Sequence, residues 1–115
     1  MAVGDFTRES GVVAMRQLLE DDPGLDAVFI ASELMADGAL RALRQAGRRV
    51  PEDVAVVGFD DIEVARYTEP PLTTVRQPIL EIGREMVRLM LRLSAGEEIE
   101  SSVVLPTELI IRESA

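Results

Sequence analysis

The 115-residue chain has the length of one compact domain, 47% apolar residues and a formal net charge of −9. It contains no cysteine, histidine or lysine, which excludes disulfides, thiolate or histidine metal sites, Ser-His-Asp or Cys-His catalysis, a Schiff-base lysine and a P-loop. The acidic balance argues against direct DNA binding by these residues, since a nucleic-acid surface needs clustered positive charge. Because cysteine, histidine and lysine are absent, we expect no bound metal and no cofactor.

The chain begins with a possible strand remnant at residues 2–3. A helix is predicted over 8–20, with Thr7 as its N-cap and Asp22-Pro23 as its end. The apolar run 26–31 predicts a strand that is buried on both faces.

A second helix is predicted over 33–46, because apolar residues recur at helical spacing after Ser32, a good N-cap. Gly47 occupies the position where a left-handed C-cap is favoured. The run 54–59 predicts another buried strand, and a short helix is expected after Asp61.

The last third contains a weaker strand at 72–75 and an amphipathic helix over 78–93 that ends at Gly96. Further strands are predicted at 103–105 and 109–111. Alternating strands and helices indicate an α/β fold, in which a parallel sheet is flanked by helices and joined by right-handed crossovers.

No apolar run approaches the roughly 20 residues of a membrane span. The first eight residues also lack the apolar core of a signal peptide. We therefore expect a cytoplasmic protein that has no membrane partner.

Three predicted loops follow the carboxyl ends of strands, where open parallel sheets bind ligands. They contribute Phe6, which can stack on a sugar ring or a base, Ser32, which can bind a hydroxyl, and Asp60, which can accept from vicinal hydroxyls. Two of them have a purely structural alternative: Phe6 as a plug beneath the first helix, and Ser32 as a simple N-cap. Asp61 is expected to be an N-cap rather than a ligand residue.

The acidic pair Asp60-Asp61 has a catalytic alternative, because two carboxylates can hold Mg²⁺ for phosphoryl transfer. A receiver-type domain would also need a lysine and a further aspartate at a strand end. Since the chain has no lysine, we expect a protein that is not an enzyme.

Five runs resemble the LacI/GalR family of transcriptional regulators, in order and with similar spacing. They are GDFTRESG (4–11), FIASELMADGAL (29–40), VPEDVAVVGFDD (50–61), PPLTTVRQP (70–78) and LPTELIIRES (105–114). The resemblance implies a periplasmic-binding-protein-like (type I) fold of two lobes, a preceding helix-turn-helix head, and a dimer whose DNA affinity responds to a small-molecule effector, often a sugar. It also implies that the positions of Phe6, Ser32 and Asp60 contact the effector.

The resemblance implies a division of this chain between the lobes, and a truncated regulator whose DNA-binding head lies outside these residues. Residues 1–73 are expected in the C-terminal lobe, 74–102 in a crossover and helix of the N-terminal lobe, and 103–115 in a strand that returns to the C-terminal lobe. The chain departs from the family at Ser32-Glu33, where asparagine and aspartate are common. Serine reaches less far and has fewer donors than asparagine.

The apolar stripe of the helix over 78–93 would lose its usual partner if the N-terminal lobe is largely missing. We therefore expect this helix to pack against a second copy, giving a homodimer. The alternatives to a regulator are a stand-alone periplasmic sugar-binding module and an α/β enzyme that uses Asp60-Asp61.

Overall fold

The structure, a computed structural model, describes residues 1–98 and 102–115. Its helices are α1 (Arg8–Asp21), α2 (Glu33–Gln45) and α3 (Ile79–Ser94), with a 3-10 turn at Glu63–Arg66, and its strands are β1 (Ala27–Phe29), β2 (Ala55–Asp60), β3 (Thr73–Arg76) and β4 (Glu108–Ile110). The chain forms two compact units. The first unit comprises Met1–Arg76 and Leu109–Ala115, and the second unit comprises Gln77–Glu108.

The strands form one four-stranded sheet in the order β1-β2-β3-β4. β1 and β2 pair in parallel with Val28 opposite Val56, and β2 and β3 pair in parallel with Gly58 opposite Thr74. The predicted α/β class with a parallel sheet is therefore confirmed.

The hydrophobic core of the first unit lies where α1 and α2 cover the sheet. Burying each large apolar side chain there contributes about 1.5–3 kcal/mol relative to leaving it in water. The core residues are Met15, Ile30, Ala36, Ala39, Leu40, Ala42, Leu43, Val54, Val56, Ala65 and Leu72.

Both helices of the first unit begin and end close to the predicted residues. The Thr7 hydroxyl caps α1 by accepting from the Ser10 amide at 3.1 Å. Helix α2 ends in a Schellman motif, in which Gly47 has φ +72° and the Arg48 amide donates to the Leu43 carbonyl at 2.9 Å.

Two glycines allow α1 and α2 to approach backbone to backbone. A Cβ at Gly11 would collide with the carbonyl oxygen of Met35, and a Cβ at Gly38 would collide with that of Arg8. Arg8 and Asp37 also form a short ion pair between the helices. The two helices are thereby held in a fixed relation, which positions the loops that precede them.

The C-terminal tail ties β2 to β3 through Ser114, whose side chain is fully buried. Its hydroxyl accepts from the Thr73 amide at 2.8 Å and donates to the Val56 carbonyl at 2.6 Å. The Val56 amide in turn donates to the Ser114 carbonyl at 2.7 Å. These bonds satisfy buried backbone groups of both strands.

Several strand predictions were wrong. Residues 2–3 and 103–105 form no strand, and Val104 is 91% exposed, because a β-branched run becomes a strand only where a partner edge is available. β1 is not buried on both faces: it stands at the sheet edge, and Phe29 is 60% exposed. The short helix predicted after Asp61 is present as a 3-10 helix, Glu63–Arg66.

The second unit consists of α3 and the segment that follows it. No residue of α3 is buried, and large apolar side chains along it are exposed, including Leu80, Met86, Met90 and Leu91. Part of the helix borders a cavity of about 320 Å³ within this unit, lined among others by Ile82, Leu89, Val103 and Leu105.

Replacing Gly38 with alanine is expected to lower the free energy of unfolding of the first unit by about 1–3 kcal/mol, because the new methyl group displaces the backbone of α1. The matched control is Gly83→Ala in α3, where a Cβ meets nothing within 4 Å. The control is expected to stabilise its helix by up to about 1 kcal/mol. Urea unfolding followed by circular dichroism measures both, and equal effects of the two variants would contradict the close contact.

Candidate ligand-binding edge of the sheet

The loops after β1 and β2 meet at one edge of the sheet, as expected for parallel neighbours. Ser32-Glu33 follows β1, and Asp60-Asp61 lies at the end of β2. The Asp61 amide donates to Glu33 Oε1 at 2.6 Å, which joins the two loops directly. Ser32 and Asp60 are the residues immediately before this bonded pair.

Asp61 lies beneath this edge and binds two arginines. Its side chain is 2% exposed, and its carboxylate accepts from Arg76 Nε at 2.7 Å and from Arg112 at 2.5 Å. Burial by itself raises the pKa of Asp61, but the hydrogen bonds from Arg112 and Arg76 outweigh it and hold that pKa below its ordinary value. The expectation that Asp61 caps the next helix is wrong, since Ile62 holds the N-cap position of the 3-10 turn.

Glu33 is the second buried carboxylate of the edge, with a residue exposure of 1%. Its Oε1 also accepts from the Thr74 hydroxyl at 2.6 Å, while Oε2 is buried without a hydrogen-bond partner among the described residues. One oxygen of Glu33 therefore connects the loop after β1 with the end of β2 and with β3.

Backbone strain is concentrated in the predicted ligand loops. Among the described residues, the non-glycine residues with positive φ are Phe6 (68°), Asp60 (106°) and Asp61 (56°). Such conformations are uncommon outside glycine and persist only where the surrounding structure enforces them. Two of the three candidate ligand residues thus have a strained backbone.

Phe6 is held by the turn that starts α1. Asp5 Oδ1 accepts from the Thr7 amide at 3.1 Å and from the Thr7 hydroxyl at 2.6 Å, and hydrogen bonds from Thr7 and Ser10 lower the pKa of Asp5. The Phe6 side chain is 66% exposed, so it is not a plug beneath the helix.

Phe6 also borders an apolar cavity of about 290 Å³ in the first unit, together with Phe29, Ala31 and Met35 among others. This cavity reaches Ala31, the residue before Ser32, but Ser32 and Asp60 are not part of its lining. Phe29 forms an edge-to-face contact with Phe59, with ring centroids 6.2 Å apart.

Ser32 takes the N-cap position of α2, but its side chain makes no capping hydrogen bond. Its carbonyl accepts from the Ala36 amide at 2.9 Å. The hydroxyl is therefore not needed to begin the helix, and the first amides of α2 favour a hydroxyl or an anion nearby.

Sequence reasoning missed the residues that fix this edge, namely Glu33, Arg76 and Arg112. The sequence offered two signals. Position 33 holds glutamate where the family commonly has aspartate, and the adjacent acids Asp60 and Asp61 repel each other unless a cation lies nearby. Neither signal identifies the arginines, because they lie 15 and 51 residues from Asp61.

In the part of the chain that the structure describes, no group of three acidic side chains is arranged to hold a metal ion. The Asp61 carboxylate is committed to Arg76 and Arg112, which compete with a cation for the same oxygens.

Comparison with known proteins decides the family. The family model of the periplasmic binding protein-like domain matches residues 1–115. The chain belongs to this family. Its relatives are LacI/GalR-type regulators, and it corresponds to the C-terminal part of their effector-binding region, so the family and the partial periplasmic-binding-protein-like fold predicted from the sequence are confirmed.

Two curated relatives illustrate this membership. The HTH-type transcriptional regulator CelR of Thermobifida fusca is 56% identical over 115 residues, which cover 99% of this chain and 34% of CelR. The HTH-type transcriptional repressor CytR of Escherichia coli (strain K12) is 46% identical over the same shares. The chain thus spans about a third of the length of the curated relatives that it matches.

Two solved structures share the fold of this family member. A complex of the transcriptional regulator CelR with cellobiose superposes with a TM-score of 0.91 at 57% identity, over 97% of this chain and 35% of that one. The Lac repressor bound to ONPG in its repressed state superposes with a TM-score of 0.90 at 36% sequence identity. The superposition covers 97% of this chain and 34% of that one. Among the helices of the described residues, none is long and apolar enough to cross a membrane.

Replacing Asp61 with asparagine is expected to destabilise the first unit by roughly 2–4 kcal/mol, because two arginines lose a buried counter-charge. The folded-state pKa of Asp61 is lowered, so its contribution is complete above about pH 4 and is lost as pH falls through that lower pKa. The loss of unfolding free energy below about pH 4 is therefore expected to be shallower in Asp61→Asn than in the wild type.

The control for this measurement is Asp26→Asn, an exposed residue that precedes β1 and lies at the opposite end of that strand. The slope of its unfolding free energy against pH is expected to equal that of the wild type. Urea unfolding from pH 2.5 to 7 measures the slopes, and identical slopes for Asp61→Asn and the wild type would contradict the role of the ion pairs.

Proposed function

We propose that this chain is the effector-binding part of a LacI-type transcriptional regulator and that it binds a small polyhydroxylated molecule at the carboxyl edge of its sheet. Phe6, Ser32 and Asp60 are the proposed ligand residues. The observation that carries the proposal is the concentration of positive φ at Phe6, Asp60 and Asp61, since strain of this kind collects at ligand-binding positions.

The chemistry of the three side chains suits a sugar. The Asp60 carboxylate offers two acceptor oxygens for adjacent hydroxyl groups. The Ser32 hydroxyl is not used as a helix cap, and Phe6 exposes most of its ring, which can stack on the apolar face of a pyranose.

The proposed effector class is a disaccharide of the cellobiose type. The support is the 57% identity to CelR, which was solved in complex with cellobiose. A nucleoside presents a comparable diol and ring face, so it is the second probe.

We further propose that the chain performs no chemistry on its ligand, acts in the cytoplasm and reaches DNA only through a head outside these residues. Asp61, the second carboxylate of the acidic pair, is bound by two arginines and is therefore a poor acid, base or metal ligand. The support for the regulatory role is the similarity to CelR and CytR, which are named as regulators.

The binding test uses Asp60→Asn, because asparagine tolerates the positive φ that this position requires. Loss of the charged acceptor is expected to weaken cellobiose binding by about 1–3 kcal/mol, or about 5- to 150-fold in Kd. Titration calorimetry at millimolar ligand measures this, with Asp26→Asn as the control that keeps wild-type affinity. A wild-type chain that binds neither cellobiose nor adenosine, or an Asp60→Asn variant of unchanged affinity, would refute the proposal.

The proposed dimer rests on the exposed apolar side chains of α3. Met86, Val87, Met90 and Leu91 are each more than half exposed on this helix. Contiguous apolar surface of this kind marks an interaction site, and symmetric pairing of two copies covers it most simply.

Light scattering after size exclusion is expected to give twice the mass of one chain at micromolar concentration. Met90→Glu is expected to shift the chain to the monomer, because the new carboxylate is costly to bury. Glu81→Gln, an exposed position in the first turn of the same helix, is the control. A monomeric wild type would refute the dimer without affecting the ligand proposal.

A further inference from the structure

Glu33 is unusual because a carboxylate that is 99% buried normally needs a cation. Asp61 at the same edge binds two arginines, whereas Glu33, within the described residues, accepts from an amide and a hydroxyl. Its second oxygen, Oε2, is buried without a partner among the described residues. Burying a carboxylate in this way costs free energy, so stability alone does not explain the residue.

The hydrogen bond from Asp61 to Glu33 acts on the peptide that carries Asp60. The amide of Asp61 belongs to the peptide unit between Asp60 and Asp61, both of which have positive φ. Fixing this amide fixes ψ of Asp60 and φ of Asp61, because a peptide unit moves as one plane.

The residues on either side of this peptide bond, Asp60 and Asp61, are also fixed by the rest of the first unit. Asp60 is in register with Arg76 of β3, and the Asp61 carboxylate is bound by Arg76 and Arg112. Glu33 thus supplies the hydrogen bond that connects this strained corner to the loop carrying Ser32.

We propose that Glu33 is a positioning residue for ligand binding: its Oε1 clamps the Asp60–Asp61 peptide and thereby directs the Asp60 carboxylate toward the ligand. This inference rests on the proposed function, because it takes Asp60 to be a ligand residue. Glu33 itself need not touch the ligand.

The test compares two replacements of similar length. Glu33→Gln keeps an oxygen that can accept from Asp61 and Thr74, whereas Glu33→Met keeps the volume and removes the acceptor. Ser114→Ala is the matched control, since it removes buried hydrogen bonds of the same unit without touching the Asp60–Asp61 corner.

Two measurements separate positioning from stability. In Glu33→Met, native-state hydrogen exchange of the Asp61 amide is expected to accelerate about tenfold or more, and the Kd for cellobiose is expected to rise about tenfold. In Glu33→Gln, the exchange rate of the Asp61 amide and the Kd for cellobiose are both expected to stay within about threefold of the wild type. Ser114→Ala is expected to lower the denaturation midpoint, while its Kd for cellobiose stays within about twofold of the wild type.

The outcomes distinguish this inference from the proposed function. Unchanged Kd in Glu33→Met, alongside weakened binding in Asp60→Asn, overturns the role of Glu33 and leaves the ligand site intact. An increase in Kd that glutamine fails to rescue, or that Ser114→Ala reproduces, overturns it too. If the wild type binds neither cellobiose nor adenosine, the proposed function fails. Hydrogen exchange still tests Glu33 in that case, because an unchanged exchange rate of the Asp61 amide in Glu33→Met overturns the claim that Glu33 fixes the Asp60–Asp61 peptide.

Discussion

The hydrogen bond from the Asp61 amide to Glu33 is the interaction on which the candidate site depends. It joins the loop after β1 to the end of β2 through two residues that are 28 positions apart in the chain. Parallel strands bring their carboxyl ends to one edge, but they do not fix the loops beyond them. The shared carboxylate oxygen of Glu33 supplies that second constraint, and Thr74 extends it to β3.

The two buried acids of this edge are satisfied in different ways. Asp61 is neutralised by two guanidinium groups, one from β3 and one from the C-terminal tail. Among the residues that the structure describes, Glu33 accepts from two neutral donors, the Asp61 amide and the Thr74 hydroxyl. Because both arginines bind Asp61, the strained peptide before it is supported on its carboxyl side.

The C-terminal tail matters to the site although it is remote in sequence. Arg112 binds Asp61 and also donates to the Leu72 carbonyl at 2.7 Å, and Ser114 bridges β2 and β3. Arg112 therefore supports the carboxyl edge through Asp61, whereas Ser114 acts near the start of both strands, at Val56 and Thr73.

The sequence by itself determined the α/β class, Thr7 as the N-cap of α1, the Gly47 cap and the parallel pairing of β1, β2 and β3. These features follow from local periodicity, capping chemistry and the alternation of elements. The five family-like runs also identified the family. Three features were decided by tertiary structure alone. The two arginines bind Asp61, residues 103–105 form no strand, and Glu33 connects the loop after β1 with the end of β2. The choice between the acids and the link through Glu33 depend on partners 15 to 51 residues away, and a local pattern carries no information about which distant side chain will lie at a strand end.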